Sequence, residues 1–277
     1  MIGEAIYFRW LGVAGIELST GEQVLAIDPF FSRPPFRRMW FGRVVPDRPL
    51  VAAKLPQCDF VLVTHSHWDH LMDVPEVVRN TGALALGSGN SCRLLSILGT
   101  PQEQTRQIHA GDDFSLGEFR IHVLPASRGT ALQQPIFAGV LPQELRPPLR
   151  IRDYRMDLNF SFLIDVGGYR LLDWNSEDPE PAVPADVLFV GPQRSRQYYD
   201  ALLRQVRPRM VIPIHWDDFF RPLSKPLRPI FAPPAWAFPP LRTLNLAEFR
   251  HTLQRVAPTT KLFLPEIFRP YKLDHVI

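Results

Sequence analysis

The sequence predicts an α/β protein in which two β-sheets pack face to face with helices on their outer sides. Three observations lead there. Short apolar runs of strand length recur along the chain, and several stop at a polar or charged residue. A strand-then-helix pattern occurs in both halves, without an internal repeat. The composition, 45% hydrophobic and 21% charged over 277 residues, is that of a globular chain long enough to bury a large core. The expected organisation is one domain over residues 1–277, with a proline- and aromatic-rich arm at about 219–243.

Residues 5 to 28 read as three strands: Ala5 to Trp10, Ile16 to Leu18, and Val24 to Ile27 ending at Asp28. Gly12 and Gly15 punctuate the first pair, and Ser19 to Glu22 make a turn. Phe30 to Phe41 has two prolines and no period, so it is a loop crowded with aromatic and basic side chains. Those aromatics either pack down as a plug or form an apolar lip. Phe60 to Val63 is a buried strand, and Asp73 with Glu76 three residues on looks like the cap of a helix with Pro75 in its first turn.

Ala83 to Leu86 is a second buried strand, followed by a helix over Ser91 to Leu98, capped by Asn90 or Ser91 and stopped by Gly99. Phe119 to Leu124 alternates as a half-buried strand with His122 on its polar side, and His109 belongs to a loop. Pro135 to Pro148 is a proline-broken connection. Phe160 to Leu172 is a hairpin turning at Gly167-Gly168, and Asp186 to Val190 is a core strand. Tyr199, Leu202, Leu203 and Val206 have helical spacing, closed by Pro208. Met210 to Ile214 is a strand, and Phe220 to Pro240 is an irregular arm with Phe231, Trp236 and Phe238. Asn245 with Glu248 caps a helix, and Leu262 to Leu264 is a last strand.

The net charge of +3 is too small to argue for nucleic acid, and only Lys54, Lys225, Lys261 and Lys272 are lysines. Cys58 and Cys92 make no disulfide framework, which suits a reduced, cytoplasmic chain. Met1 to Trp10 lacks a signal-peptide pattern, and no apolar run is long enough for a bilayer.

The chemistry concentrates in Thr64-His65-Ser66-His67-Trp68-Asp69-His70, where a core strand runs out into a loop. In extended backbone His65 and His67 point the same way. Imidazole nitrogen with carboxylate oxygen is a donor set for zinc and similar cations. This spacing resembles His-x-His-x-Asp-His, the signature of the metallo-β-lactamase superfamily. Ala26-Ile27-Asp28-Pro29 and Val211-Ile212-Pro213-Ile214-His215 resemble its early strand-end aspartate and its late histidine strand. The branch most resembled is that of metal-dependent hydrolases, including ascorbate-phosphate lactonase-like and phospholipase D-like enzymes.

The resemblance implies a four-layer αβ/βα sandwich. It also implies one or two divalent transition metals, zinc first, with manganese or iron open. His65 and His67 would serve one metal position, and Asp69, His70 and His215 the other. Asp28 would buttress the histidines, and Asp217 or Asp218 either hydrogen-bonds and orients a ligand histidine or caps a helix. Two family ligands are missing. At the third histidine of the first position stands Ser127 or Arg128, and Arg128 would repel a cation or hold an anionic substrate group. For the bridging carboxylate, Ser176 is nearest the slot, with Asp173 favoured over Glu177 and Asp178. One tightly held metal on the Asp69-His70-His215 side is therefore expected.

The expected activity is hydrolysis of an ester-type bond (phosphodiester, lactone or amide) by metal-bound hydroxide, with Asp69 as proton acceptor. The substrate is a small molecule, lipid-like if the loops 30–41 and 220–236 form an apolar rim. The alternative is a degenerate member of the fold that binds a ligand or partner without turnover.

Overall fold

The computed structural model describes residues 5–39, 42–127, 137–181, 183–232 and 242–277. Two seven-stranded sheets face each other. The first takes the antiparallel strands β1 (Tyr7–Gly12), β2 (Gly15–Ser19) and β3 (Val24–Ile27). It continues in parallel through β4 (Phe60–Leu62), β5 (Leu84–Gly87) and β6 (Thr105–Gln107). The second runs from β7 (Asp113–Leu116) through β8 (Phe119–Pro125), β9 (Phe160–Val166), β10 (Tyr169–Trp174) and β11 (Val187–Val190) to β12 (Met210–Pro213). A two-stranded ladder, β13 (Phe231–Ala232) with β14 (Arg242–Thr243), closes the described part of the arm. The C-terminal segment then serves both sheets: β15 (Lys261–Leu262) joins β12, and β16 (Pro270–Lys272) joins β1.

Between the sheets, Phe8, Trp10, Leu62, Phe160, Phe162, Phe189 and Ile212 form one buried cluster. The outer faces carry clusters of their own. On the first sheet, Val61 and Val63 join Val51 of α1 (Arg48–Lys54), Val77 and Val78 of α3 (Val74–Thr81), and Leu94 and Leu95 of α4 (Gly89–Ile97). The short turn α2 (Trp68–Leu71) lies in the same layer. On the second sheet, Leu172, Leu188 and Val211 join Tyr199, Leu202 and Val206 of α5 (Arg196–Val206) and Phe249 and Leu253 of α6 (Leu246–Val256). This is the four-layer arrangement the residue pattern predicts, with strands apolar on both faces because both faces are covered.

Three local expectations are corrected. Ser88, not Asn90 or Ser91, caps α4 by accepting from Ser91 N. Asp73 stands at the start of α3 but makes no side-chain cap. Its carboxylate instead accepts from Phe31 N at 2.6 Å, Ser32 N at 2.9 Å and Ser32 Oγ at 2.5 Å, fastening the loop that leaves β3. The aromatic loop does both things left open for it: Phe30 and Phe31 are fully buried, whereas Phe36 is 58% exposed. Trp40 and Phe41, like Trp236 and Phe238 of the arm, lie outside the described residues.

Candidate metal centre

The parallel strands β3 and β4 end side by side and set Asp28 beside Thr64. Asp28 is fully buried with φ of 45°, a backbone region that Asp tolerates better than most residues. Its Oδ1 accepts Thr64 N at 2.8 Å and its Oδ2 accepts Thr64 Oγ1 at 2.5 Å. The same Oδ2 accepts from His70 Nδ1 at 2.6 Å. A carboxylate in this position keeps the His70 proton on Nδ1 and turns Nε2 towards Asp69.

Asp69 and His70 lie on α2, and His215 follows β12 across the sandwich. Asp69 Oδ2 is 3.5 Å from His70 Nε2 and 3.2 Å from His215 Nε2. All ligand atoms of this trio lie within 4.8 Å of one another. Burial opposes the Asp69 charge, but His70, the hydrogen bond and charge of His215, and His67 outweigh it and hold the carboxyl well below its usual range. An ionised carboxylate with two imidazole nitrogens is a donor set that fits a divalent transition ion, with room for a further ligand.

His215 is aimed by backbone rather than by a side chain. Its N–H donates to Val13 O at 2.7 Å, and Val13 N donates to Asp217 Oδ1 at 2.8 Å. Asp217 Oδ2 pairs with Arg33 Nη2 at 2.6 Å, and both side chains are buried. Val13, Arg33 and His215 all have positive φ, at 49°, 39° and 56°. Asp217 therefore neither hydrogen-bonds a ligand histidine ring nor caps a helix: its oxygens clamp the β1–β2 turn and the loop after β3, and it acts on His215 only through the Val13 backbone. Strained backbone held by buried polar contacts is common at working sites.

His65 and His67 make a second pair, with His65 Nε2 3.1 Å from His67 Nδ1 and His67 Nε2 donating to Phe137 O at 3.0 Å. Asp173 is not one of the residues whose ligand atoms converge with Asp69, His70 and His215 among the described residues. The row Leu171, Asp173, Asn175 shares one face of β10 by its period of two, and Leu171 is in the core between the sheets. Asp173 is one step deeper than the site and 2% exposed, with no hydrogen-bond partner for Oδ1 among the described residues. Burial, reinforced by the charge of Asp28, pushes its carboxyl well above the usual range. Asn175, one step further out, reaches His65 Nδ1 at 3.2 Å. Ser176 is tied to Ser127, donor and acceptor hydroxyls lying 3.1 Å apart, and its carbonyl accepts from Tyr198 at 2.6 Å. Arg128 lies outside the described residues. Asn175, Asn159, Thr64 and Arg33 escaped the sequence reading. Thr64 and Asn175 stood inside stretches already singled out, while Arg33 and Asn159 carried no local signal.

Beside His215 runs an aromatic wall. Phe219 is 5.7 Å from His215, Trp68 stacks on Phe220 at 5.3 Å, and Phe36 meets Phe220 edge-on at 5.1 Å. Among the described residues no helix is long and apolar enough to cross a membrane.

Residues 24–146 match the family described as the Beta-lactamase superfamily domain. A UPF0173 metal-dependent hydrolase of Pyrobaculum arsenaticum is 30% identical over 219 residues, 76% of this chain and 84% of that one. Two solved structures share the fold. Igni18, a metallo hydrolase of Ignicoccus hospitalis, has a TM-score of 0.61 at 17% identity, covering 96% of this chain and 97% of its own. An isothiocyanate hydrolase from Delia radicum gut bacteria has a TM-score of 0.62 at 12% identity, covering 96% and 99%. Some other curated relatives are matched over only 31% to 37% of their own length. The fold and the relatives define a metal-dependent hydrolase of the metallo-β-lactamase fold. The chain belongs to the UPF0173 metal-dependent hydrolases of the metallo-β-lactamase superfamily.

Proposed function

We propose that the protein hydrolyses an ester-type bond (phosphodiester, lactone or amide) in a small molecule that carries an apolar group. The convergence of Asp69, His70 and His215 beside an aromatic wall is the observation that supports this. These three residues would hold one divalent ion, zinc in the first place, with manganese or iron as further candidates. Such an ion supplies a Lewis acid that acidifies water and polarises the group under attack.

The chain's own residues divide the remaining work. Asp28 keeps a proton on His70 Nδ1 and so presents His70 Nε2 to the site. Asp69, ionised despite its burial, accepts or orients the proton of the attacking water. Phe219, Phe220 and Phe36, with buried Trp68 stacked behind Phe220, take the apolar part of the substrate and keep water from the reacting bond.

The test pairs metal analysis of the purified chain with turnover of ester, lactone, amide and phosphodiester series of increasing acyl length. Expected are bound metal, turnover of one bond class that rises with chain length, and loss of both metal and turnover in His215→Ala. Bound metal with no turnover of any class would instead identify a binding protein. Turnover indifferent to chain length would remove the apolar group from the proposal.

A further inference from the structure

We infer that the face around the outer end of the aromatic wall docks on an anionic lipid surface, with Phe36 entering the interface and a group of arginines meeting the headgroups. Two chain segments build this face. Pro34 and Pro35 lead into the 3₁₀ turn Phe36–Met39, where Arg38 N donates to Pro35 O at 2.8 Å. That turn packs against a second one, Ile151–Asp153. Beside them Val44 N donates to Leu149 O at 2.8 Å, and Arg43 Nη1 donates to the carbonyls of Arg146, at 3.1 Å, and Pro148. Underneath, Val44, Leu149, Ile151 and Tyr154 are buried in the cluster that also holds Trp68. The outward side chains are therefore carried on a packed layer.

What this layer turns outward is cationic and apolar. Arg37, Arg38, Arg43, Arg150 and Arg152 are all exposed, and none of the five makes an ion pair among the described residues. Acidic groups of the same segments turn to other partners: Asp47 accepts from Leu50 N, Asp153 from Arg150 N, and Glu144 pairs with Arg146. Five guanidinium charges exceed the net charge of +3 of the whole chain, so the positive field is local. Among them Phe36 is 58% exposed, the most exposed aromatic ring of the described residues, and Val45 is 60% exposed. Apolar side chains among unpaired cations suit the boundary between headgroups and acyl chains, where the ring is buried and the arginines meet phosphates. A polynucleotide would use the arginines but gain neither a hydrogen bond nor a stacking face from Val45.

The aromatic contacts add direction. Phe36 meets Phe220, Phe220 meets Phe219 at 4.7 Å, and Phe219 meets His215. An apolar chain leaving a bilayer at Phe36 finds aromatic surface as far as the metal centre. That delivery rests on the proposed hydrolysis of a substrate with an apolar group. The docking does not, and vesicle binding tests it without turnover.

The full-length chain is floated with vesicles of phosphatidylcholine and with vesicles in which about 30% of the lipid is phosphatidylglycerol. Expected are binding to the anionic vesicles alone and its weakening at high salt. Arg37→Ala/Arg38→Ala should weaken the partition about 20-fold, at about 5-fold per arginine. Phe36→Ser should weaken it about 10-fold. Should either variant fail to fold, Arg150→Ala/Arg152→Ala reads the same face. Arg250→Ala/Arg255→Ala removes the same charge from the exposed side of α6, over the second sheet, and should bind as wild type. No binding to anionic vesicles, equal binding to both compositions, or an equal loss in the α6 variant would each overturn the inference. So would displacement of the chain from anionic vesicles by an equimolar single-stranded oligonucleotide, which would give the arginines to nucleic acid.

Discussion

Two histidines five positions apart, His65 after β4 and His70 on α2, are supported by different chemistry. His70 Nδ1 faces the Asp28 carboxylate, which can only accept a proton, while His65 Nδ1 lies between the Asn175 amide, which can only donate one, and Thr64 Oγ1, which has given its own to Asp28 and can only accept. The same residue type, equally buried, has its proton fixed by one partner in the first case and contested by two in the second. The signature records ligand types at a spacing. Which of them can ligate is decided by partners far along the chain. The side that gathers His70 and His215 is fastened by buried carboxylates, and the side holding His65 and His67 by neutral groups. That difference can be attacked from three directions.

The largest effect is expected at Asp217. Its carboxylate neutralises buried Arg33 and fixes the Val13 amide that stands behind His215. Asp217→Ala leaves an unpaired guanidinium inside the protein and should cost about 3–5 kcal/mol in urea unfolding. Replacing both partners by apolar residues should cost less than the single change. A loss below about 1 kcal/mol for Asp217→Ala would mean that water or a rearranged backbone satisfies Arg33, and that His215 is not held from below.

Much of this fold was legible in the sequence, because its covered strands are continuous apolar runs and its helices have clear apolar stripes. The histidine cluster was legible for a related reason: His65, His67, Asp69 and His70 fall within six residues and follow a core strand. What was not legible depends on partners far apart in sequence. Arg33 and Asp217 are 184 residues apart, and His65 and Asn175 are 110 apart. No local pattern encodes such pairs. Asp73 misled in a different way, since residue type and spacing matched a helix cap while its side chain served the loop at Phe31 and Ser32. Strand β16 escaped because Pro270, Tyr271 and Lys272 contain no apolar run, only an edge that β1 completes.

Asp73 also sharpens the comparison between carboxylates. Asp28 faces an imidazole, whereas Asp73 faces only N–H and O–H donors. Burial dominates and raises the Asp73 pKa to about 6, against the hydrogen bonds from Ser32 and Phe31 that lower it. The folded state therefore binds more protons than the unfolded state between about pH 4 and 6. Stability from this group is present below that window and is lost as pH rises through it, by an order of about 3 kcal/mol. Asp73→Asn should flatten this slope in urea midpoints measured from pH 4 to 7. Identical slopes in both proteins would mean that Asp73 stays ionised throughout.

The smallest effect in free energy is the most informative, because it reverses the support of one histidine. Asp28→Asn keeps the shape and tolerates the positive φ at that position. Thr64 N still needs an acceptor, so the amide oxygen must occupy the place of Oδ1 and the NH₂ the place of Oδ2, facing His70 Nδ1. His70 is then driven to the opposite tautomer, with its proton on Nε2 towards Asp69. The expected result is a fall of about 10–100-fold in zinc affinity by chelator competition, with the fold retained. Asn175→Asp, which would join Thr64 Oγ1 in accepting from His65 Nδ1, should move affinity the other way at His65. If Asp28→Asn bound zinc as tightly as wild type, support from behind the ring would not decide which histidine ligates, and the contrast between the two sides of the site would have to be sought in the ligand geometry alone.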